Sequence, residues 1–365
     1  MSGLYHYKCP ACGGTLEFDS ATQRMKCPYC DTEVDIASLR GKAELGETQS
    51  QAGTEDAAEG QTFSAQDSAQ MDLYVCQSCG GEIIVPKTTG ASSCPFCGNP
   101  QIMPRKFSGA LRPDFIVPFK LDQKAVRENY QRHLTGKHFL PKVFKDENHF
   151  REIRGIYVPY WLFDSQVHGS FRYRGERIRR WEDANFYYTE HRYYDIIRDG
   201  TVDFAAVPVD GSKVMADDLL ESLEPFSPVD AVEFDGAYLS GYAAHQYDVT
   251  KEEARPRALE RMTNTTERVF MNTVRGYDKI YTTSSEVSFH QNHTRYVLYP
   301  VWLLNTSWRG ERFTFGMNAQ TGRLVGNLPL DKKAFYTCFA LLTLVLWVVY
   351  TIGIYVLLST DWEAM

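Results

Sequence analysis

The sequence predicts an α+β protein with two small metal-binding ribbons at its N-terminal end and one transmembrane helix at its C-terminal end. Three observations predict it. Eight of the nine cysteines fall into four C-x-x-C pairs, a 25-residue stretch near the C-terminus carries no charge, and the chain between them mixes helix signals with denser strand signals. At 365 residues the chain has room for about two to three domains. Hydrophobic content of 43%, charged content of 23% and 13% aromatics exclude disordered, collagenous and multi-span classes. A net charge of −7 lacks the basic footprint of a chain that lives on nucleic acid, so such binding would have to be local.

Residues 1–36 and 73–105 form an internal repeat. Cys9-Pro-Ala-Cys12 is followed after fourteen residues by Cys27-Pro-Tyr-Cys30, and Cys76-Gln-Ser-Cys79 after fourteen by Cys94-Pro-Phe-Cys97. Each C-x-x-C can fold as a knuckle, with a glycine after its second cysteine to take unusual torsions; Asp31 stands in that place in the second pair. Strand-forming residues between the knuckles (Leu16, Phe18; Ile83, Ile84, Val85) suit rubredoxin-like β-ribbons. Four thiolates make a closed tetrahedral shell for Zn²⁺ with no open position for water or substrate, so Cys9, Cys12, Cys27, Cys30 and Cys76, Cys79, Cys94, Cys97 are expected to hold two structural zinc ions. Binding energy of about 10–16 kcal/mol per site would fold units too small for a core of their own. Rubredoxin-type iron and redox C-x-x-C chemistry share the spacing; two complete four-cysteine sets favour zinc. Thiolate sites of this kind point to a reducing compartment, and Met1 to Lys8 lacks the apolar core of a signal peptide.

Residues 37–72 carry two cations against seven anions and read as a flexible acidic linker that lets the ribbons move independently. The α+β domain, mainly antiparallel, is expected over 106–330. Asp122 caps a helix through Leu134, a second helix runs from Ala216 to Leu223, and Thr250-Lys-Glu-Glu253 is a capping box opening a helix toward Val274. Strands are expected at 116–119, 157–163, 169–174, 185–197, 296–307, 312–317 and 323–325. Pro159-Tyr-Trp161-Leu and Pro300-Val-Trp302-Leu suggest a pair of repeats, each leading to a charged turn, Arg174-Gly175-Glu176 and Arg309-Gly310-Glu311.

Ala334 to Leu358 gives about 37 Å of helix against a hydrocarbon core of about 30 Å. Lys332 and Lys333 precede it and Asp361 and Glu363 follow, which orients the bulk of the chain to the cytoplasm and the C-terminus outside the cell membrane. Seven residues follow Leu358, as in a tail anchor, and the sequons at Asn264, Asn292 and Asn305 are then chance matches.

For chemistry the sequence offers less. Arg172, Arg174, Arg177, Arg179 and Arg180 lie among Phe171, Tyr173 and Trp181, a pattern that either grips phosphates or forms a solvated strand face, the second being the simpler reading. His168, His191, Asp203, Asp210, His245 and Asp248 can be paired on paper, without a nucleophile motif beside them. No G-x-x-x-x-G-K-[ST] loop is present, so ATP-driven helicase activity is not expected, and no small-molecule substrate is evident. Ribbon 1 carries net −2 and ribbon 2 net +1 before metal, too little positive charge for phosphate binding, which favours protein contacts.

Both ribbons, Ile116-Val-Pro118-Phe, Gly155-Ile-Tyr-Val-Pro159-Tyr-Trp161, Val207-Pro-Val-Asp210-Gly-Ser212, Ala237-Tyr-Leu-Ser-Gly241-Tyr and the apolar tail together resemble a bacterial family of membrane-anchored, TFIIB-type double zinc-ribbon proteins. Members of that family often carry a replication-restart helicase label. Some sit in envelope-stress modules beside phage-shock-type and flotillin-like proteins. The resemblance implies a non-enzymatic adaptor that recruits protein partners to the membrane, with no catalytic residue to carry over. The competing expectation is a membrane-tethered nucleic-acid-binding regulator or replication accessory.

Overall fold

The computed structural model describes residues 8–40, 62–63, 71–87, 93–105, 111–145 and 153–362. Most of the acidic stretch 37–72 lies outside the described residues. Of its described part, residues 37–40 continue a helical turn, Thr62 bridges Leu111, and the Phe63 ring meets Phe234 at 5.8 Å.

Ribbon 1 holds a three-stranded antiparallel sheet, β1 (Glu17–Asp19), β2 (Arg24–Lys26) and β3 (Glu33–Val34), followed by α1 (Ile36–Arg40). Ribbon 2 supplies β4 (Met71–Cys76), β5 (Glu82–Pro86) and β6 (Ile102–Arg105). The rest of the α+β body contains β7 (Phe115–Ile116), α2 (Gln123–Leu134), β8 (Arg154–Glu182), β9 (Tyr187–Asp210) and α3 (Asp217–Leu223). It continues through β10 (Val232–Glu233), β11 (Ala243–His245), α4 (Lys251–Thr273), β12 (Lys279–Trp308), β13 (Glu311–Asn318) and β14 (Leu324–Gly326) to α5 (Lys332–Trp362). The capping signals hold: Asp122 accepts the Ala125 N–H at 2.8 Å, and Thr250 and Glu253 exchange both bonds of the capping box, which leaves Pro256 inside α4 rather than in its first turn.

One sheet of eleven strands runs β10-β7-β12-β8-β11-β5-β4-β6, with β9 added to β8, β13 to β12 and β14 to β13. Its pairs are antiparallel except β11 on β8 and β7 on β12. The central strands are buried on both faces. Tyr157, Trp161 and Phe163 of β8 enter a core shared with α2 and α4, while Ile156, Val158, Tyr160 and Leu162 enter a second core with α3 and ribbon 2. That double burial explains the near-continuous apolar run at 156–163, which polar alternation would otherwise interrupt.

The P-x-W-L segments occupy matching positions on neighbouring antiparallel strands. Trp161 Nε1 donates to Val249 O at 2.9 Å and Trp302 Nε1 to Leu121 O at 3.0 Å, each carbonyl lying just before a helix N-cap. Gly211 N–H bonds Pro159 O at 2.8 Å and Ala319 N–H bonds Pro300 O at 3.1 Å. The parallel partners match too, with β11 on Ile156 and Tyr157 and β7 on Val297 and Leu298.

The strands are longer than their sequence signals. Segments 157–163 and 169–174 are parts of one 29-residue strand, and β12 begins at Lys279 rather than near 296. Arg174-Gly175-Glu176 is therefore no turn but the middle of β8. Gly175 is required there because a Cβ would lie 2.5 Å from the Tyr277 ring, and Glu176 is buried against His191. The second charged turn is real: Arg309 and Gly310 have φ of +53° and +81° in a two-residue hairpin loop.

Ribbon 2 is spliced into the sheet, Ile83 and Ile84 of β5 pairing with His245 and Ala244 of β11. Ribbon 1 docks by side chains and single bonds. Phe18 N–H reaches Ser240 O at 3.2 Å, Gln23 Nε2 reaches Phe119 O at 2.7 Å, and the Phe18 ring packs on Tyr238. Both ribbons are thus seated on the body instead of moving independently.

Candidate metal centres

Each knuckle is built by the same pair of backbone bonds. Gly13 N–H donates to Cys9 O and Cys9 N–H to Gly14 O; Asp31 and Thr32 do this for Cys27, Gly80 and Gly81 for Cys76, and Gly98 and Asn99 for Cys94, all at 2.7–3.0 Å. The residue after the second cysteine is left-handed every time, with φ of +73°, +56°, +76° and +72° at Gly13, Asp31, Gly80 and Gly98. Asp31 fills the odd position because aspartate tolerates this conformation better than most side chains.

The turns bring the eight predicted cysteines into two groups of four, each with all sulfurs within 4.8 Å of one another. First and last cysteines approach (Cys9–Cys30 3.5 Å, Cys76–Cys97 3.5 Å), as do the inner ones (Cys12–Cys27 3.5 Å, Cys79–Cys94 3.6 Å). A tetrahedron with Zn–S bonds of about 2.3 Å has edges of about 3.8 Å, so both groups fit a zinc ion with little adjustment. Both are closed shells suited to a structural role.

Electrostatics inside each group favour a cation. Burial works against ionisation of Cys9, yet the N–H groups of Cys12 and Ala11 and the neighbouring thiols outweigh it and bring Cys9 down to about 6. Cys76 comes down to about 7 against the same burial, through the N–H groups of Cys79 and Ser78. Burial pushes Cys79 up to about 11 and Cys94 further. Four sulfurs this close cannot all ionise unless a divalent cation offsets the repulsion.

A second signal of the knuckles lies in the paired glycines. A Cβ on Gly14 would sit 2.6 Å from the Tyr29 ring, and one on Gly81 2.8 Å from the Phe96 ring. C-G-G in one knuckle and C-P-[aromatic]-C in the other are thus a matched pair, the ring roofing the glycine beside a zinc ligand. The cores differ. Phe96 is 8% exposed and meets the buried His245 ring at 4.8 Å, whereas Tyr29 is 78% exposed.

The acid and base candidates scatter. His245 and Asp248 alone among the six approach, at 3.7 Å, and His245 Nδ1 bonds Glu82 O beneath ribbon 2. His168 faces Asp199, His191 faces Glu176, and Asp203 accepts from Gln166. Asp210, raised by burial against the pull of Arg257, belongs to an ion-pair network of Arg257 and Arg261 with Asp217, Glu221 and Glu224 that ties α3 to α4.

The arginine cluster lies on an arm. β8, β9 and β12 continue past the end of α4, the root being closed by Phe171, Tyr173, Ile196, Phe270 and Val274. Arg177 stacks over Tyr194 and Tyr277, Arg179 over Trp181, and Trp181 on Tyr188 at 5.3 Å. At the tip, Asp183 accepts the N–H groups of Asn185 and Phe186 and the Tyr188 hydroxyl. Register places Arg172 and Arg174 on one face with Tyr193, Ile197 and Tyr281. The aromatics of β9 were not legible as a surface, because an exposed Tyr-Tyr run has the composition of an ordinary strand.

A zinc ribbon domain family matches residues 71–102, which is ribbon 2. A protein of Bacillus subtilis (strain 168) named YdjG, described only as uncharacterized, is 29% identical over 329 residues, covering 90% of this chain and 91% of its own length. No solved structure matches the chain.

Proposed function

We propose that this protein is a non-enzymatic, membrane-anchored adaptor whose zinc ribbons are structural and whose arm docks a protein partner. One observation carries the reading: the arm ends in large side chains left in solvent, with Tyr187 88% and Phe186 63% exposed beside Trp181, Tyr193 and Tyr281. Contiguous aromatics interleaved with arginine are the composition of interface hot spots. The outer edges of β9 and of the first half of β12 carry no neighbouring strand among the described residues, so backbone pairing is available as well.

The anchor is α5, apolar over Lys332–Tyr355 and unburied. Lys332 and Lys333 orient the body to the cytoplasm and the C-terminus outward. β12 ends at Trp308 beside the anchor and starts at Lys279 beside the arm, so the arm stands about 95 Å of strand contour from the membrane end. The matched tryptophan and helix-cap contacts support reading the two strand–helix units as repeats, and the knuckles support the rubredoxin-like type. With the motif resemblance, these support placement among the TFIIB-type double-ribbon proteins, with a flotillin-like or phage-shock-type partner. The test is a crosslinked, detergent-solubilised pull-down of the full chain beside Tyr187→Ala/Tyr193→Ala. A membrane protein retained by the parent and lost roughly tenfold with the double variant supports the adaptor. Recovery of nucleic acid with steep inverse salt dependence would instead establish the tethered regulator.

A further inference from the structure

The base of α5 is tied into the body. Asp331 caps the helix, its Oδ1 accepting the Lys333 N–H at 3.1 Å, while its own N–H donates to Phe139 O at 2.8 Å and the Phe139 ring meets Phe335 at 5.3 Å. The β12–β13 turn closes on the same point. Arg309 lies 3.9 Å from Asp331 and stacks over the half-buried Trp308 at 4.3 Å. Its left-handed φ costs about 1 kcal/mol in a residue other than glycine or asparagine, so the turn displays a cation where a neutral residue would strain less. Lys137 Nζ lies 2.7 Å from His133 Nε2; burial, then the charge of Lys137, holds His133 below its ordinary value, and burial lowers Lys137. Around the first turn of α5 therefore stand Lys137, His138, Arg309, Lys332 and Lys333, against Asp331 and Glu311.

We propose that this collar is a docking face for anionic phospholipid headgroups, seating the body flush on the bilayer at the point where α5 enters it. The proposal rests on the reading of α5 as a membrane span. Charge complementarity and continuity with that span select the occupant: a cationic ring around an apolar helix meets the headgroup layer, and Trp308 and Phe139 lie where amphipathic or aromatic side chains favour the interface. Each cation near an anionic surface contributes about 1 kcal/mol, and a nearby anion relieves the repulsion between Lys137 and protonated His133. Because the collar holds the membrane end of β12, docking would also fix the arm relative to the bilayer.

The test is hydrogen–deuterium exchange of the full chain in nanodiscs of POPC alone and of POPC with about one third POPG. Exchange at 136–140 and 308–312 should be roughly fivefold slower with POPG, and the difference should vanish in Lys137→Gln/Arg309→Asn, where asparagine keeps the left-handed turn. Equal exchange of the parent in both lipids overturns the collar. Release of the parent from membranes by carbonate would overturn the span itself, and the collar with it; carbonate resistance with equal exchange removes only the collar.

Discussion

Ribbon 1 and ribbon 2 share spacing, knuckle bonds and sulfur geometry, yet one is a guest on the body and the other a part of its sheet. Ribbon 1 closes its own three strands and touches the body through Phe18 and Gln23. Ribbon 2 lends β4, β5 and β6 to the main sheet and Cys76, Cys94 and Phe96 to a central core. Cys12 and Cys30 are exposed, whereas Cys79 and Cys97 are half-covered. The lesson is that a metal site's local chemistry does not set how far its loss travels; the hydrogen bonds and buried area around it do.

The largest effect should come from removing each metal in turn. Cys76→Ser/Cys94→Ser is expected to lower the melting temperature of the body by roughly 10 °C or more, and Cys9→Ser/Cys27→Ser by under about 4 °C, because only the first change strips a strand from the central sheet. Calorimetry with zinc quantified checks it; equal shifts would break the comparison. Treatment of the parent with a chelator should likewise release zinc in two phases, ribbon 1 first, read by a colorimetric zinc indicator.

A smaller effect separates the roofed glycines. Gly81→Ala should cost about 1–3 kcal/mol, since Phe96 is trapped by His245, while Gly14→Ala should cost under about 1 kcal/mol because Tyr29 can swing into solvent. Denaturant midpoints decide, and the reverse order would mean that Tyr29 is pinned by something beyond its ring contacts. Smallest is Gln23→Asn, which keeps the left-handed turn but is too short to reach Phe119 O. Losing that bond, worth about 1 kcal/mol, should speed zinc release from ribbon 1 roughly fivefold and leave ribbon 2 unchanged.

Much of this was legible in the chain. Metal ligands four at a time, with the left-handed residue after each pair, follow from local geometry that fourteen-residue spacing closes without help. The caps of α2 and α4 are local too. The strand lengths were not, because residues 279–295 and 198–206 are polar on both sides and hold their extension through pairing with β8 rather than through burial. Gly175 looked like a turn for the same reason; nothing near it in sequence announces the Tyr277 ring across it.

The sequence by itself determined the chemistry that depends on near neighbours: two sets of four sulfurs, capped helices, and a helix too apolar to remain in water. Tertiary structure alone decided that ribbon 2 belongs to the sheet, that five arginines stand on an exposed arm, and that Arg309 meets Asp331 at the foot of α5. The physical reason is range. A cap or a knuckle is satisfied within a few residues, whereas a sheet edge, a roofing ring or an ion pair takes its partner from tens or hundreds of residues away, and composition carries no record of which partner arrives.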